Sequence, residues 1–141
     1  CYGTAGLARV QQLAALALGD ARRQIAAEHA LTAALTDPAQ LGATTDLGLC
    51  HGVAGLVHIA ARAATDAGPV MTEHLRAVIP PLLTAVLPHG DTPEDHAATL
   101  IHAPDGGPGL LDGAAGIALA LTTADDHEPS RTGWDSCLLI A

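Results

Sequence analysis

Two cysteines and one histidine occupy matching places in a short repeated motif. The motif x-x-G-x-A-G occurs three times, in CYGTAGLA at 1–8, CHGVAGLV at 50–57 and LDGAAGIA at 111–118. Cys1 and Cys50 stand two residues before the shared glycine, and His51 follows Cys50. If the three motifs occupy equivalent places on neighbouring helices, these two thiolates and one imidazole come together. A Cys₂His set is the ligand pattern of a catalytic zinc that keeps its fourth position open.

The charge of such a site predicts what it would do. Two thiolates cancel the charge of Zn²⁺ and leave an electron-rich metal, which suits a soft fourth ligand such as a substrate thiol. Coordination deprotonates a thiol whose free pKa is about 8.5. We therefore predict thiol activation, in which one zinc ion per site holds a substrate sulfur as thiolate, ready to attack an electrophile. Spacing alone leaves a second interpretation open, in which Cys1 and Cys50 are buried helical cysteines or a pair that oxidises.

The residues that follow each motif predict the helices that position these side chains. After the first motif, apolar residues recur with helical spacing until Gly19 and Asp20 supply a stop and a new N-cap. A return helix is predicted to about Thr36, and further helix starts at Thr72 and Thr92. An αα repeat cannot bury its apolar face alone and must stack on neighbours. The sequence therefore predicts an all-α fold, either an open solenoid or an incomplete arc of an α/α toroid. The motif glycines would let helix starts approach a neighbouring backbone closely.

Composition limits the class of protein. The chain has 141 residues, enough for one domain, and 49% of them are hydrophobic although phenylalanine is absent. Six basic residues against 15 acidic ones give a net charge of −9, which argues against nucleic-acid binding and against adhesion to an anionic membrane. No apolar run reaches the length of about 18 residues that predicts a membrane span. Three cysteines make a poor disulfide framework and predict a reducing, cytoplasmic location.

The same motifs carry a family resemblance. CYG, CHG, the later LLDGAAGIAL and the closing WDSCLLI resemble the C-terminal half of lanthionine synthetase C-like proteins, the lanthipeptide cyclases, over essentially all 141 residues. The resemblance implies an α/α toroid of the six- or seven-hairpin barrel type, with zinc at the open end of its inner ring. It implies that Cys1, Cys50 and His51 are the zinc ligands and that Tyr2 lines the pocket. Residues 1–141 are then expected to be the C-terminal portion of a single cyclase domain, because the chain opens inside a repeat and without methionine.

The activity that the resemblance implies is Michael addition within a peptide. A cysteine thiolate of a dehydrated precursor peptide adds to dehydroalanine or dehydrobutyrine and forms a lanthionine or methyllanthionine thioether ring. The residues that handle the proton in the family lie N-terminal to Cys1, so this chain alone is expected not to cyclise. A lanthipeptide dehydratase is an expected partner. Two other hypotheses stay open: a non-catalytic relative that binds thiols or glutathione, and an inert helical repeat with its cysteines in the core.

The remaining candidate residues have simpler interpretations. Cys137 lies in an apolar closing helix without a motif and is predicted to pack. His58 follows His51 by seven residues, which allows a shared helix face, but a structural role is favoured over a catalytic one. Asp112 takes the place of His51 in the third motif, and capping of the next helix is favoured over a role in the site. Trp134 is predicted to anchor the end of the chain by packing.

Overall fold

A computed structural model describes residues 3–87, 92–103, 106–126, 130 and 132–140. Cys1 and Tyr2, two of the predicted site residues, lie outside the described residues. The described ranges consist of helices and loops without a β-strand, which confirms the all-α class. Within them, none of the helices has the length and apolar character needed to cross a lipid bilayer.

The helices follow one another with short connections. In chain order they are α1 (Gly3–Leu18), α2 (Ala21–Thr36), α3 (Pro38–Gly42), α4 (Val53–Asp66), α5 (Pro69–Ala77), α6 (Ile79–Val86), α7 (Pro93–Ile101) and α8 (Ala114–Asp126), followed by a 3₁₀ helix at Trp134–Leu138. The motif helices are therefore α1, α4 and α8, and the return helices lie between them in the sequence.

The motif helices form one layer and the return helices form a second. In the first layer α4 lies between α1 and α8 and contacts both. In the second layer α2 packs along α1, α5 and α6 pack on α4, and α7 packs against α8. Contacts between α2 and α5 and between α6 and α8 make the layers continuous. An inner layer of motif helices backed by an outer layer of return helices confirms the predicted arc of an α/α toroid.

Small residues let these helices approach one another. The central helix α4 is buried on almost every side, and its Ala54, Ala60 and Ala63 are fully buried. Larger aliphatic side chains from the outer helices fill the remaining space around it, among them Leu31, Leu75 and Val86. Such close packing of alanine with leucine and valine accounts for a core built without phenylalanine.

Side-chain caps set the starts of α2, α3 and α7, and the sequence predicted part of this. Asp20 and Thr92 accept hydrogen bonds from the backbone N–H three residues later, at 3.0 and 3.1 Å, and so cap α2 and α7 as predicted. The predicted cap at Thr72 is wrong. Helix α5 begins earlier, at Pro69, because proline is favoured in the first turn of a helix, where its missing N–H needs no partner. The Thr72 hydroxyl instead donates to the carbonyl oxygen of Ala64 at 3.0 Å.

A buried arginine ties α1 to the C-terminal segment. Arg9 is fully buried, and its Nε donates to the carbonyl oxygen of Ile140 at 2.9 Å. Its guanidinium also pairs with Asp66, at the end of α4, at 2.7 Å and donates to Gln12. Gln12 in turn donates to Glu28 of α2 at 2.9 Å. These polar groups partner one another, so the buried charge of Arg9 is compensated while three helices and the C-terminal segment are held together.

A second group of buried charges lies beneath the 3₁₀ helix. His58 of α4 is fully buried, and its Nε2 lies 3.3 Å from a carboxylate oxygen of Asp135. Arg62 contacts the same oxygen at 3.3 Å, so Asp135 balances its charge. The indole of Trp134 packs on the imidazole of His58, with ring centroids 4.9 Å apart. These contacts agree with the packing role predicted for Trp134 and with a structural role for His58.

The buried state of His58 makes stability depend on pH. Burial lowers the pKa of His58 from its ordinary 6.5 to about 4, although the carboxylate of Asp135 opposes the shift. Between these two values the unfolded chain binds a proton at His58 and the folded chain does not, so acidification favours unfolding. We expect the free energy of unfolding to fall by about 2 kcal/mol between about pH 7 and pH 5 through this group. Urea unfolding at several pH values measures the fall.

Two histidine variants separate this effect from general acid sensitivity. His58→Gln is expected to lose more than half of the pH dependence in this range, because glutamine does not titrate. His74→Gln removes a histidine from an exposed position on α5 and is expected to keep the wild-type dependence. An identical pH dependence in the wild type and in His58→Gln would contradict the prediction.

Candidate metal centre

The two motif helices α4 and α8 are each preceded by a loop that folds back on the helix start. These loops are residues 46–52 and residues 106–113. The first N–H of α4, at Val53, donates to the carbonyl oxygen of Asp46 at 3.0 Å, and the first N–H of α8 donates to Gly107 at 2.7 Å. The donor lies seven residues after the acceptor in both cases, so the two loops have equivalent places in the repeat. The loops thereby satisfy helix N–H groups that have no partner within the helix.

A hydrogen bond between the two loops brings the candidate site together. The backbone N–H of Cys50 donates to the carbonyl oxygen of Leu111 at 2.9 Å. This contact sets His51 beside Asp112, with His51 Nδ1 3.5 Å from an oxygen of Asp112. His51 Nε2 lies 3.9 Å from the Sγ of Cys50. One ligand atom from each of Cys50, His51 and Asp112 falls within 4.8 Å of the others.

The separation of these donors fits a zinc ion. In a tetrahedral site, sulfur at about 2.3 Å and nitrogen at about 2.0 Å from zinc are about 3.5 Å apart. The 3.9 Å between Cys50 Sγ and His51 Nε2 is close to that value. Adjacent residues can both face one ion here because they precede α4, which begins at Val53, and do not lie within it. Thiolate, imidazole and carboxylate are all ordinary zinc donors, so the described residues can hold such an ion.

A comparison of the sequence with known protein families agrees with this arrangement. The family described as "Lanthionine synthetase C-like protein" matches residues 1–139. The chain belongs to the lanthionine synthetase C-like family. No curated protein and no solved structure gives a significant match. Family membership confirms the resemblance carried by the glycine motifs.

Asp112 does not have its predicted role as a helix cap. Within the described part of the chain, the first N–H of α8 bonds to Gly107, and the Asp112 carboxylate faces His51. A signal for this was present in the sequence, because Asp112 aligns with His51 when the second and third motifs are set in register. Residues at equivalent positions of neighbouring motifs can face each other where the loops before adjacent motif helices meet.

A cavity of about 250 Å³ opens beside Cys50 and His51. Leu41 of α3 and Leu56 of α4 give it apolar walls, and Thr44 adds a polar group. The cavity is large enough to admit a small side chain of a ligand beside the thiol and the imidazole.

Two other cysteine predictions have different outcomes. Cys1 lies outside the described residues, so its predicted ligand role stays a prediction. The prediction that Cys137 packs in the core is wrong, because its side chain is exposed and its Sγ donates to the carbonyl oxygen of Trp134 at 3.1 Å. The last element is a 3₁₀ helix with about three residues per turn, so Asp135 and Leu138 face inward and Cys137 faces solvent.

Proposed function

We propose that this protein is a zinc-dependent lanthipeptide cyclase whose zinc is held by Cys1, Cys50 and His51. The observation that supports the proposal most directly is the pairing of Cys50 Sγ with His51 Nε2 at 3.9 Å, at the start of a motif helix in a lanthionine synthetase C-like chain. Cys1 has the place of Cys50 in the first motif, and helix α1 that follows it packs beside α4. A third ligand from this direction would leave one metal position for a substrate.

The substrate that this site suits is a peptide thiol. When bound, zinc supplies the Lewis acidity that keeps a thiol deprotonated near neutral pH. The cavity between Leu41 and Leu56 would receive the cysteine side chain of a dehydrated precursor peptide. Cys50 and His51 would then fix where the sulfur stands relative to the electrophile. A reducing compartment such as the cytoplasm would keep the thiolate ligands available.

The proposed reaction is an addition that needs no oxidant and no reductant. The peptide thiol gives up its proton, and its sulfur forms a bond to the β carbon of dehydroalanine or dehydrobutyrine. The electron pair of the carbon–carbon double bond moves to the α carbon, which then takes up a proton. The product is a thioether ring of the same mass as the starting peptide. We place the acid that supplies the last proton N-terminal to Cys1, and a lanthipeptide dehydratase as the source of the dehydrated substrate.

Further helices are part of the same proposal. The side of α1 that carries Leu7 and Val10 is exposed to 62% and 45%, although both side chains are apolar. An inner helix of a toroid has such a face covered by the next hairpin. We therefore assign residues 1–141 to the C-terminal portion of one cyclase domain.

A thiol assay tests the proposal. The whole cyclase domain, with the proposed portion N-terminal to Cys1, is incubated with a dehydrated precursor peptide. The product is alkylated and its mass is measured by mass spectrometry. Each ring removes one free thiol, so the number of alkyl groups falls by one per ring while the mass of the peptide itself stays the same. Addition of a zinc chelator or the change Cys50→Ala is expected to abolish the loss of thiol.

The same assay separates cyclisation from simple thiol binding. Zinc-loaded protein that binds glutathione but leaves every peptide thiol open to alkylation would contradict the cyclase proposal. That result would favour the non-catalytic thiol-binding alternative. A protein that binds neither zinc nor thiols would contradict both.

A further inference from the structure

The Asp112 carboxylate and the Cys50 thiol lie nearest to different nitrogens of the His51 ring. The Sγ of Cys50 lies 3.9 Å from Nε2, whereas the nearer oxygen of Asp112 lies 3.5 Å from Nδ1. The two ring nitrogens of an imidazole point in different directions. A metal beside the thiol would therefore take Nε2, and Nδ1 would be left facing the carboxylate.

The backbone fixes this arrangement from both sides. The hydrogen bond from the N–H of Cys50 to the carbonyl of Leu111 joins the residues directly before His51 and Asp112. The loop before α8 is held to its helix by the bond between Ala114 and Gly107 at 2.7 Å. Asp112 is thus presented to His51 by backbone contacts, although both side chains are about half exposed, at 54% and 53%.

We infer that Asp112 is a positioning residue that accepts a hydrogen bond from Nδ1–H of His51 and so presents Nε2 to the metal. The inference rests on the proposed function. A neutral imidazole carries its proton on one nitrogen only, and a carboxylate at Nδ1 favours the tautomer whose Nε2 lone pair is available. Asp112 therefore limits both the tautomer and the direction of the ring, and it adds basicity to the ligand.

Measurement of zinc affinity in the full chain tests this role. Competition with a chelator at neutral pH compares the wild type with Asp112→Ala and Asp112→Asn. Asp112→Ala is expected to weaken zinc binding by roughly 10- to 100-fold, the usual cost of losing such a partner. Asp112→Asn keeps a carbonyl oxygen that accepts from Nδ1–H, so it is expected to recover most of the loss.

A control variant removes the same charge elsewhere on the same helix. Asp125 is exposed near the other end of α8, roughly 20 Å from Asp112 along a helix rise of about 1.5 Å per residue. Asp125→Ala is expected to change zinc affinity by less than about twofold, because a distant surface charge is screened by salt.

Nitrogen NMR of His51 in the zinc-loaded protein gives a readout that does not depend on stability or activity. The expected result is a proton on Nδ1 and the metal on Nε2. Zinc on Nδ1, or an Asp112→Asn variant as weak as Asp112→Ala, would overturn the inference in favour of direct ligation by the carboxylate.

The outcomes also separate this inference from the proposed function. Loss of zinc in Cys50→Ala together with an unchanged affinity in Asp112→Ala would overturn the inference and leave the proposed function standing. A wild-type protein that binds no zinc would overturn both.

Discussion

Alanine in place of Cys50 is expected to lower the zinc content of the protein from about one ion per chain to near zero. The thiolate is one of the two donors that lie together within 3.9 Å at the start of α4, and a neutral methyl group cannot replace it. Removing one charged donor from a site of this kind is expected to weaken zinc binding by on the order of 100-fold or more. Elemental analysis after dialysis, followed by chelator competition, measures both quantities.

Other cysteine variants make this result specific. Cys137→Ala removes an exposed thiol from the 3₁₀ helix and is expected to keep the full zinc content. Cys1→Ala is expected to reproduce the loss seen with Cys50→Ala, since the proposal makes Cys1 a ligand. Stoichiometric zinc in the Cys50→Ala protein would contradict the assignment of the metal centre.

Alanine in place of Gly116 is expected to destabilise the fold strongly. A Cβ at this position would collide with the carbonyl oxygen of Leu110, which belongs to the loop that folds back on α8. The obstacle is backbone and cannot move aside without shifting the whole loop. We expect a loss of about 3 kcal/mol or more in the free energy of unfolding. Thermal unfolding followed by circular dichroism measures it, and Gly55→Ala is expected to behave in the same way because its Cβ would meet the carbonyl of Leu49.

A glycine without such a neighbour provides the matched control. A Cβ at Gly42, at the end of α3, would find no atom within 4 Å. Gly42→Ala is therefore expected to change stability by less than about 1 kcal/mol, with a small gain from the lower entropy of the unfolded chain. Equal unfolding temperatures for Gly116→Ala and Gly42→Ala would show that the motif glycines do not serve close approach.

The repeated glycines explain why so much of the fold could be predicted. Gly55 and Gly116 recur at the same distance from Gly52 and Gly113, and each marks a helix start pressed against backbone. Local spacing carries that information, so the three motif helices and the pairing of Cys50 with His51 followed from the sequence. The stacking of the repeats followed from the need of each repeat to cover its apolar face, and the division into inner and outer helices was implied by the family resemblance.

Contacts between segments that are distant in the sequence could not be predicted from local spacing. The approach of Asp112 to His51 depends on one hydrogen bond between two loops, and the sequence pattern also allowed a capping role. The burial of Arg9 against Ile140 joins opposite ends of the chain, and nothing in the local pattern marks it. The exposure of Cys137 depends on a tight final turn in place of an α-helix.

The bond between Cys50 and Leu111 has a consequence for how this architecture can vary in length. The shared glycines of the first and second motifs are 49 residues apart, and those of the second and third are 61 apart. The additional residues of the longer spacing cannot lie in the last few residues before a motif helix, because backbone hydrogen bonds fix the position of each residue there. Additional segments must be accommodated among the outer helices, at the periphery of the ring. The outer helices can thus differ in length from one repeat to the next, while the loops before the motif helices, with the candidate metal-binding side chains, keep a constant register.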